Sequence, residues 1–315
     1  MTSVITITFN PCIDKSIEVP ALIPEKKLSC ILPRMEPGGG GINVARAITR
    51  LGGNAIAIYP AGGYHGRLLT SLLKEENVSV RPVETGKETR ENWIVAEKST
   101  HRQFRFGMPG PSLTEIEWHE CLGELKRAGE AEFVVVSGSL PEGFPEDLME
   151  RIDTLCREKK ARLVVDSSGP GLLKALEHGV YLIKPSLNEL GSLIVALNLN
   201  SNSPTDAARD IVDRGYAEVV VVSMGPGGAV VVSPDLVREI TPPSVRNLST
   251  VGAGDCMVAG IVLGLTRKLS LEEAVKFGVA SGSAATMNPG TALCKPEDVD
   301  ILYRFLQKQY QDFFL

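Results

Sequence analysis

Four short apolar runs in the second half of the chain constrain its fold more than any other feature. They are Phe133-Val134-Val135-Val136, Leu163-Val164-Val165, Val180-Tyr181-Leu182-Ile183 and Val219-Val220-Val221-Val222. None alternates with polar residues, so each reads as a strand buried on both faces. Helical spacing fills the gaps between them. Leu148, Ile152, Leu155 and Cys156 share one face, a short helix follows at 171–176, and another spans 205–214. Apolar strands alternating with helices predict a parallel sheet covered on both sides and joined by right-handed crossovers.

The residues that end these runs carry the chemistry. Ser137-Gly138-Ser139, Asp166-Ser167-Ser168, Lys184-Pro185 and Ser223-Met224-Gly225-Pro226-Gly227-Gly228 follow the strands in turn. Ligands of open α/β sheets bind outside the carboxyl ends of the strands. Serines, a carboxylate, a lysine and glycine turns at that rim suit phosphates and hydroxyls.

One further stretch completes the rim: Ser249-Thr250-Val251-Gly252-Ala253-Gly254-Asp255, followed by an apolar helix through Leu265. Gly252, Ala253 and Gly254 are small enough for an anion to approach the backbone N–H groups, which lack partners at a helix start. Asp255 has two readings, a first-turn acid or N-cap that stabilises the helix and a general base aimed at the same spot.

The first half reads differently. Val4 to Phe9 is a strand. The segment near 12–35, broken by Pro20 and Pro24, suits an edge strand or lid. Gly38-Gly39-Gly40-Gly41 then lead into a helix over Asn43 to Leu51. This run is no dinucleotide fingerprint, since Pro37 rather than a strand is expected before it and the third glycine of the fingerprint is missing. A ligand-covering loop is the preferred reading. Glu88 to Gly107 reads as a hairpin with one buried face and a polar turn at Lys98 to His101; it carries Arg90 and Arg105. Near the C-terminus, Ser270 to Glu273 has the form of a capping box. The small residues after Phe277 would admit an adenine ring or a close helix contact.

Net charge is −5 and no basic stripe is visible, so nucleic acid is not an expected partner. No signal peptide or membrane span is expected. Six scattered cysteines without a C-x-x-C pair suit free thiols in the cytosol. The four histidines form no zinc-binding pattern. A P-loop kinase and a serine hydrolase are excluded because G-x-x-x-x-G-K-[ST] and G-x-S-x-G are absent.

Gly38-Gly39-Gly40-Gly41-Ile42-Asn43-Val44-Ala45 and Thr250-Val251-Gly252-Ala253-Gly254-Asp255 resemble the two signatures of the PfkB (ribokinase-like) family of carbohydrate kinases. The resemblance covers essentially the whole chain. Within the family, Glu36 to Arg46 is most similar to the minor, PfkB-type bacterial 6-phosphofructokinases. It implies a doubly wound, mostly parallel α/β sheet flanked by helices, in one domain over residues 1–315. A small β lid from about 12–35 and 88–107 would also form a homodimer interface. It implies MgATP as donor, fructose 6-phosphate as acceptor at its 1-hydroxyl, and Asp255 as base, with Gly252, Ala253 and Gly254 holding the transferring phosphoryl group. Asp14, Gly38, Gly39 and Asn43 would meet the sugar, and Lys27, Arg90, Arg105 and Ser139 its phosphate. Lys184, Ser223, Gly225 and Gly228 would face ATP. Glu189 would serve Mg²⁺ through water. Ser249, Val251, Ala285, Asn288 and Gly290 match a loop that holds a monovalent cation, K⁺ being the candidate.

Two positions depart from the family pattern. Its Asn-x-x-Glu element reads Ser186-Leu187-Asn188-Glu189, and Ala292 stands where the phosphofructokinases carry Arg. The alternatives are kinases of fructose 1-phosphate or tagatose 6-phosphate, a kinase of unphosphorylated sugars or nucleosides, and a non-catalytic sugar-phosphate sensor.

Overall fold

The computed structural model describes residues 4–100 and 102–311. His101, at the expected hairpin turn, lies outside them.

One sheet organises the molecule. Its strands in chain order are β1 (Val4–Ile7), then, past the lid strands, β4 (Ala55–Gly62), β5 (Ser79–Thr85), β8 (Phe133–Ser137), β9 (Arg162–Asp166), β10 (Val180–Ile183), β11 (Ala217–Ser223), β12 (Ala229–Ser233) and β13 (Leu236–Ile240). Their spatial order is β13-β12-β11-β10-β9-β8-β1-β4-β5. All pairings from β5 to β11 are parallel; β12 and β13 are added antiparallel. The chain winds from β1 outward to β5, then returns to β8 and winds the other way. The order therefore reverses between β1 and β8, where open sheets bind ligands.

The lid is a second sheet of β2 (Cys12–Val19), β3 (Ile31–Gly38), β6 (Arg90–Glu97) and β7 (Arg102–Gly107), ordered β3-β2-β6-β7. The register separates its faces. Asp14 pairs with Glu36 and Asn92, placing these on one face. Lys15, Met35 and Trp93 share the other, with Phe106 opposite Trp93.

Ten helices cover the described part of the large sheet. Those needed below are α1 (Gly40–Arg50), α2 (Gly63–Glu75), α5 (Gly169–Leu176), α6 (Leu187–Leu197), α8 (Ala253–Thr266), α9 (Leu271–Thr286) and α10 (Pro296–Gln311). One buried cluster joins α1, α8 and α9 to one face of the sheet, and a second fills the opposite face.

Several expectations change. Pro37 is not outside a strand: β3 runs through it to Gly38. Proline is tolerated because β3 is an edge strand. The glycines form no loose loop. Gly38 ends β3, Gly39 caps α1, and Gly40 and Gly41 lie in its first turn. A Cβ on Gly40 would collide with Ser137 Oγ, so the glycines let α1 start against the β8 turn. The hairpin does not bury one whole face: β6 is partly buried, whereas β7 is almost wholly exposed. Ser270 caps α9, but Glu273 turns to Lys276, Tyr303 and Gln307 instead of completing the box. The small residues of α9 give the close helix contact. Gly278 packs against Ile261 of α8, while Gly282 and Ser283 border a cavity.

Candidate active site

The start of α8 lies at the rim of the sheet. Gly252 adopts a left-handed conformation (φ 73°) as the helix cap. Cys256 N–H is the first to close a helical bond, onto Gly252 O at 2.8 Å. The N–H groups of Gly254 and Asp255 ahead of it are free at the helix end. Asp255 is an acid in the first turn, as the simpler reading allowed, but Gly252 and not Asp255 is the cap. Asp255 makes no capping bond, and its Oδ2 instead accepts from Asn43 Nδ2 at 2.9 Å. Burial, reinforced by the nearby Asp166 charge, pushes its carboxyl up to about 7, against the Asn43 bond and Lys184. A carboxylate with such a pKa is matched to proton abstraction near neutrality.

Lys184 follows β10 and is almost fully buried, with Nζ 3.1 Å from Asp166 Oδ1. Burial works to lower its pKa, but Asp166, Glu189 and Asp255 together raise it, so it stays charged. Its Nζ is also 3.5 Å from where a Cβ on Gly254 would stand. A permanent cation thus faces the free N–H groups, an arrangement suited to a transferring phosphoryl group.

Across from Asp255, β2 presents Asp14. Its Oδ1 accepts from Asn92 Nδ2 (3.1 Å) and Cys12 Sγ (3.2 Å). A Cβ on Gly38 would stand 2.5 Å from Asp14 Oδ2, so glycine keeps this edge open. Ser139 Oγ accepts from Asn10 Nδ2 at 3.0 Å. Arg90 is held by carbonyls, Nη1 on Met108 O (2.8 Å) and Nη2 on Asn10 O (3.1 Å). Arg105 instead reaches the turn before α8, donating to Thr250 Oγ1 at 3.0 Å. Lys27 makes no contact with these groups through any hydrogen bond or ion pair among the described residues. It is exposed between β2 and β3 and has no polar partner among the described residues.

Beside the first turn of α8 lies a cavity of about 570 Å³. Ser223, Gly225 and Gly228 border it, as does Gly254. Pro242, Pro243 and Val245 supply an apolar wall that the sequence reading missed, although the Pro242-Pro243 pair was a visible signal for an irregular segment.

A profile described as pfkB family carbohydrate kinase matches residues 7–298. The chain belongs to the pfkB family of carbohydrate kinases. Its two family signatures meet in the Asn43–Asp255 hydrogen bond, one from α1 and the other from α8. The ATP-dependent 6-phosphofructokinase isozyme 2 of Escherichia coli is 44% identical over 312 residues, 98% of this chain and 100% of that protein. Crystal structures of Phosphofructokinase-2 from Escherichia coli, in complex with potassium and with fructose-6-phosphate, match with TM-scores of 0.91 and 0.90 and identities of 44% and 42%. Each covers 98% of this chain and 100% of the other. A 1-phosphofructokinase of Bacillus subtilis is 32% identical over 283 residues, 90% of this chain and 92% of that protein.

The pfkB element at 186–189 is occupied by a helix cap. Ser186 Oγ accepts from Glu189 N–H, and Glu189 Oε2 accepts from Ser186 N–H (2.7 Å) and Oγ (2.8 Å). Among the described residues no group of three or more His, Cys, Asp or Glu could hold a metal. The segment containing Ser249 and 285–290 folds back on itself. Ser249 Oγ donates to Gly290 O (2.7 Å) and accepts from Val251 N–H (3.2 Å), while Asn288 N–H bonds Ala285 O (3.1 Å). Each of these carbonyls retains a second lone pair, so the loop fits a monovalent cation.

Proposed function

We propose that this chain is an ATP-dependent 6-phosphofructokinase, transferring the terminal phosphoryl group of MgATP to the 1-hydroxyl of fructose 6-phosphate. The observation that carries this reading is that the first turn of α8 holds Asp255 against Asn43 and borders a cavity through Gly254. Asp14 and Asn43 suit sugar hydroxyls. The cavity, bordered also by Ser223, Gly225 and Gly228, suits a nucleotide. The 44% identity to a 6-phosphofructokinase, against 32% to a 1-phosphofructokinase, favours the 6-phosphate over the 1-phosphate substrate.

In this mechanism the 1-hydroxyl gives its proton to Asp255 as its oxygen attacks the γ-phosphorus. The bond to the bridging oxygen breaks and ADP leaves. Gly254 and Asp255 N–H groups and Lys184 stabilise the charge on the phosphoryl oxygens. Glu189 would serve the Mg²⁺ of MgATP through water, and that ion would help neutralise charge on the phosphates. Arg90 and Ser139 bind the sugar's phosphate, and Arg105 joins them from the lid. Lys27, exposed between β2 and β3, would contribute across a lid interface.

A homodimer through the lid is supported by the exposed apolar residues Phe104, Phe106 and Met35 on one side of that sheet. The K⁺ loop is supported by its geometry and by the potassium complex of the E. coli relative. Six free thiols support a cytosolic location, and no helix of the described residues is long and apolar enough to cross a membrane.

The test is ADP release with fructose 6-phosphate, fructose 1-phosphate, tagatose 6-phosphate and unphosphorylated fructose. The expected kcat/KM is highest for fructose 6-phosphate by at least about tenfold. A higher value for another acceptor, or no turnover with any, refutes the assignment.

A further inference from the structure

The mechanism leaves the buried cation Arg46 without a task. Arg46 lies on α1 one turn after Asn43, and none of its side chain reaches solvent. Nε donates to both Glu76 oxygens (3.1 and 3.0 Å) and Nη2 to Glu76 Oε1 (2.6 Å). Nη1 donates to Pro37 O (2.8 Å) and to Asn43 Oδ1 (3.0 Å). Burying an ion pair contributes little net stability, and an apolar side chain could fill the same space. What the cation supplies is direction.

An asparagine amide has an accepting end and a donating end. A guanidinium only donates, so it faces the oxygen. With Oδ1 turned to Arg46, Nδ2 is turned to Asp255 Oδ2. The reversed amide would set oxygen against carboxylate and N–H against guanidinium, unfavourable at both ends. Glu76 holds Arg46 in this pose by a two-point grip and is itself held by Arg50 at 2.9 Å. The same guanidinium ties down Pro37 O, next to Gly38 in the sugar compartment.

We propose that Arg46, anchored by Glu76, is a positioning residue that fixes which end of the Asn43 amide meets Asp255. This rests on the reading of Asp255 as the base. It leaves Asp255 Oδ1 free for the sugar hydroxyl and keeps the base correctly aimed. The charged groups facing Asp255 are Asp166 at the end of β9, Lys184 after β10 and Asp14 on β2. Those facing Arg46 are Glu76 and, at 4.0 Å, Glu36 of β3. The Asn43 bond opposes the burial and the Asp166 charge that raise the Asp255 carboxyl. Losing its orientation therefore raises that carboxyl further.

The experiment measures kcat against pH for wild type, Arg46→Lys, Glu76→Gln, Asn43→Ala and the Arg46→Lys/Asn43→Ala double variant, with melting temperatures alongside. Lysine keeps the charge but cannot span Glu76 and Asn43 together. The expected result for Arg46→Lys is an acid limb moved up by roughly half a unit to one unit. Its kcat falls several-fold below neutrality and mostly recovers at high pH. In the Asn43→Ala background the same substitution moves the limb no further, because the path is already cut. Glu76→Gln keeps Arg46 and gives a smaller shift in the same direction, which carries the test should Arg46→Lys not fold. A lower melting temperature with an unmoved acid limb would show a purely structural role and overturn the proposal. So would an equal shift with Asn43 absent. If wild type lacks sugar-phosphate kinase activity the functional reading fails; if it is active and the limb does not move, only this inference fails.

Discussion

Replacing Gly254 by alanine should make the protein no less stable and much less active. Gly254 lies in the first turn of α8, and its φ is not in the left-handed region. An added Cβ would meet only the Lys184 side chain, with Nζ at 3.5 Å, which is ordinary van der Waals contact. No strain opposes the change. Alanine gains up to about 1 kcal/mol over glycine in a helix, less in a first turn. In a chain of this length that is a rise of ~1–2 °C in melting temperature. The methyl group would, however, crowd Lys184 Nζ at the helix end, where on the proposed mechanism a phosphoryl oxygen comes within roughly 3 Å of the lysine and the free N–H groups. Displacing a reacting group by ~1 Å costs about 10²-fold. Gly252→Ala is the control. Its φ of 73° is left-handed and a Cβ would lie 2.7 Å from Leu293 Cδ2. It should lose stability, by ~1–2 kcal/mol for the backbone alone. Thermal unfolding and steady-state kinetics on both variants separate the two effects. A Gly254→Ala enzyme with wild-type kcat would refute the claim that the phosphoryl group passes this helix end.

Arg105→Ala should raise the KM for the sugar phosphate by roughly tenfold or more, with the KM for ATP unchanged, since a charge-assisted bond is worth about 1.5–3 kcal/mol; a raised ATP KM alone would place the β7 edge at the wrong substrate. Ser186→Asn should preserve the cap of α6, because asparagine caps as well as serine, and lower the Mg²⁺ concentration for half-maximal rate a few-fold through its longer reach, about 0.5–1.5 kcal/mol. Identical Mg²⁺ titrations would leave Ser186 as a cap alone. Asp255→Asn should raise the melting temperature more at pH 8 than at pH 4. The folded pKa of about 7 is above the ordinary value of 3.8, so the wild-type carboxyl loses its relative stabilisation as pH rises through that window. A pH-independent difference would mean that Asp255 titrates normally.

What the sequence disclosed followed from how self-contained each signal was. β8 to β11 were legible because strands buried on both faces need no distant partner to explain their composition. Asp255 and its glycines were legible because a helix start is local. The lid strand β3 was not, since Pro33 and Pro37 argue against a strand until its edge position is known. The two candidate caps show the same limit. Ser270-Glu273 has the capping pattern, yet Glu273 is drawn off by Tyr303 and Gln307 on α10. Ser186-Glu189 was read for metal chemistry, and it forms the complete box. Arg46 gave no signal because its role depends on Glu76, which meets it only after the chain has passed through β4 and α2.

In the proposed mechanism Asp255 takes the sugar's proton and is not merely a fixture of α8. That role is tested most directly by measuring kcat for Asp255→Asn with fructose 6-phosphate and MgATP, alongside calorimetric binding of each substrate. The account predicts dissociation constants close to wild type and a kcat lower by about 10²–10⁴-fold. A variant that binds both substrates and retains more than roughly a tenth of wild-type kcat would contradict it, because a positioned general base cannot be lost so lightly.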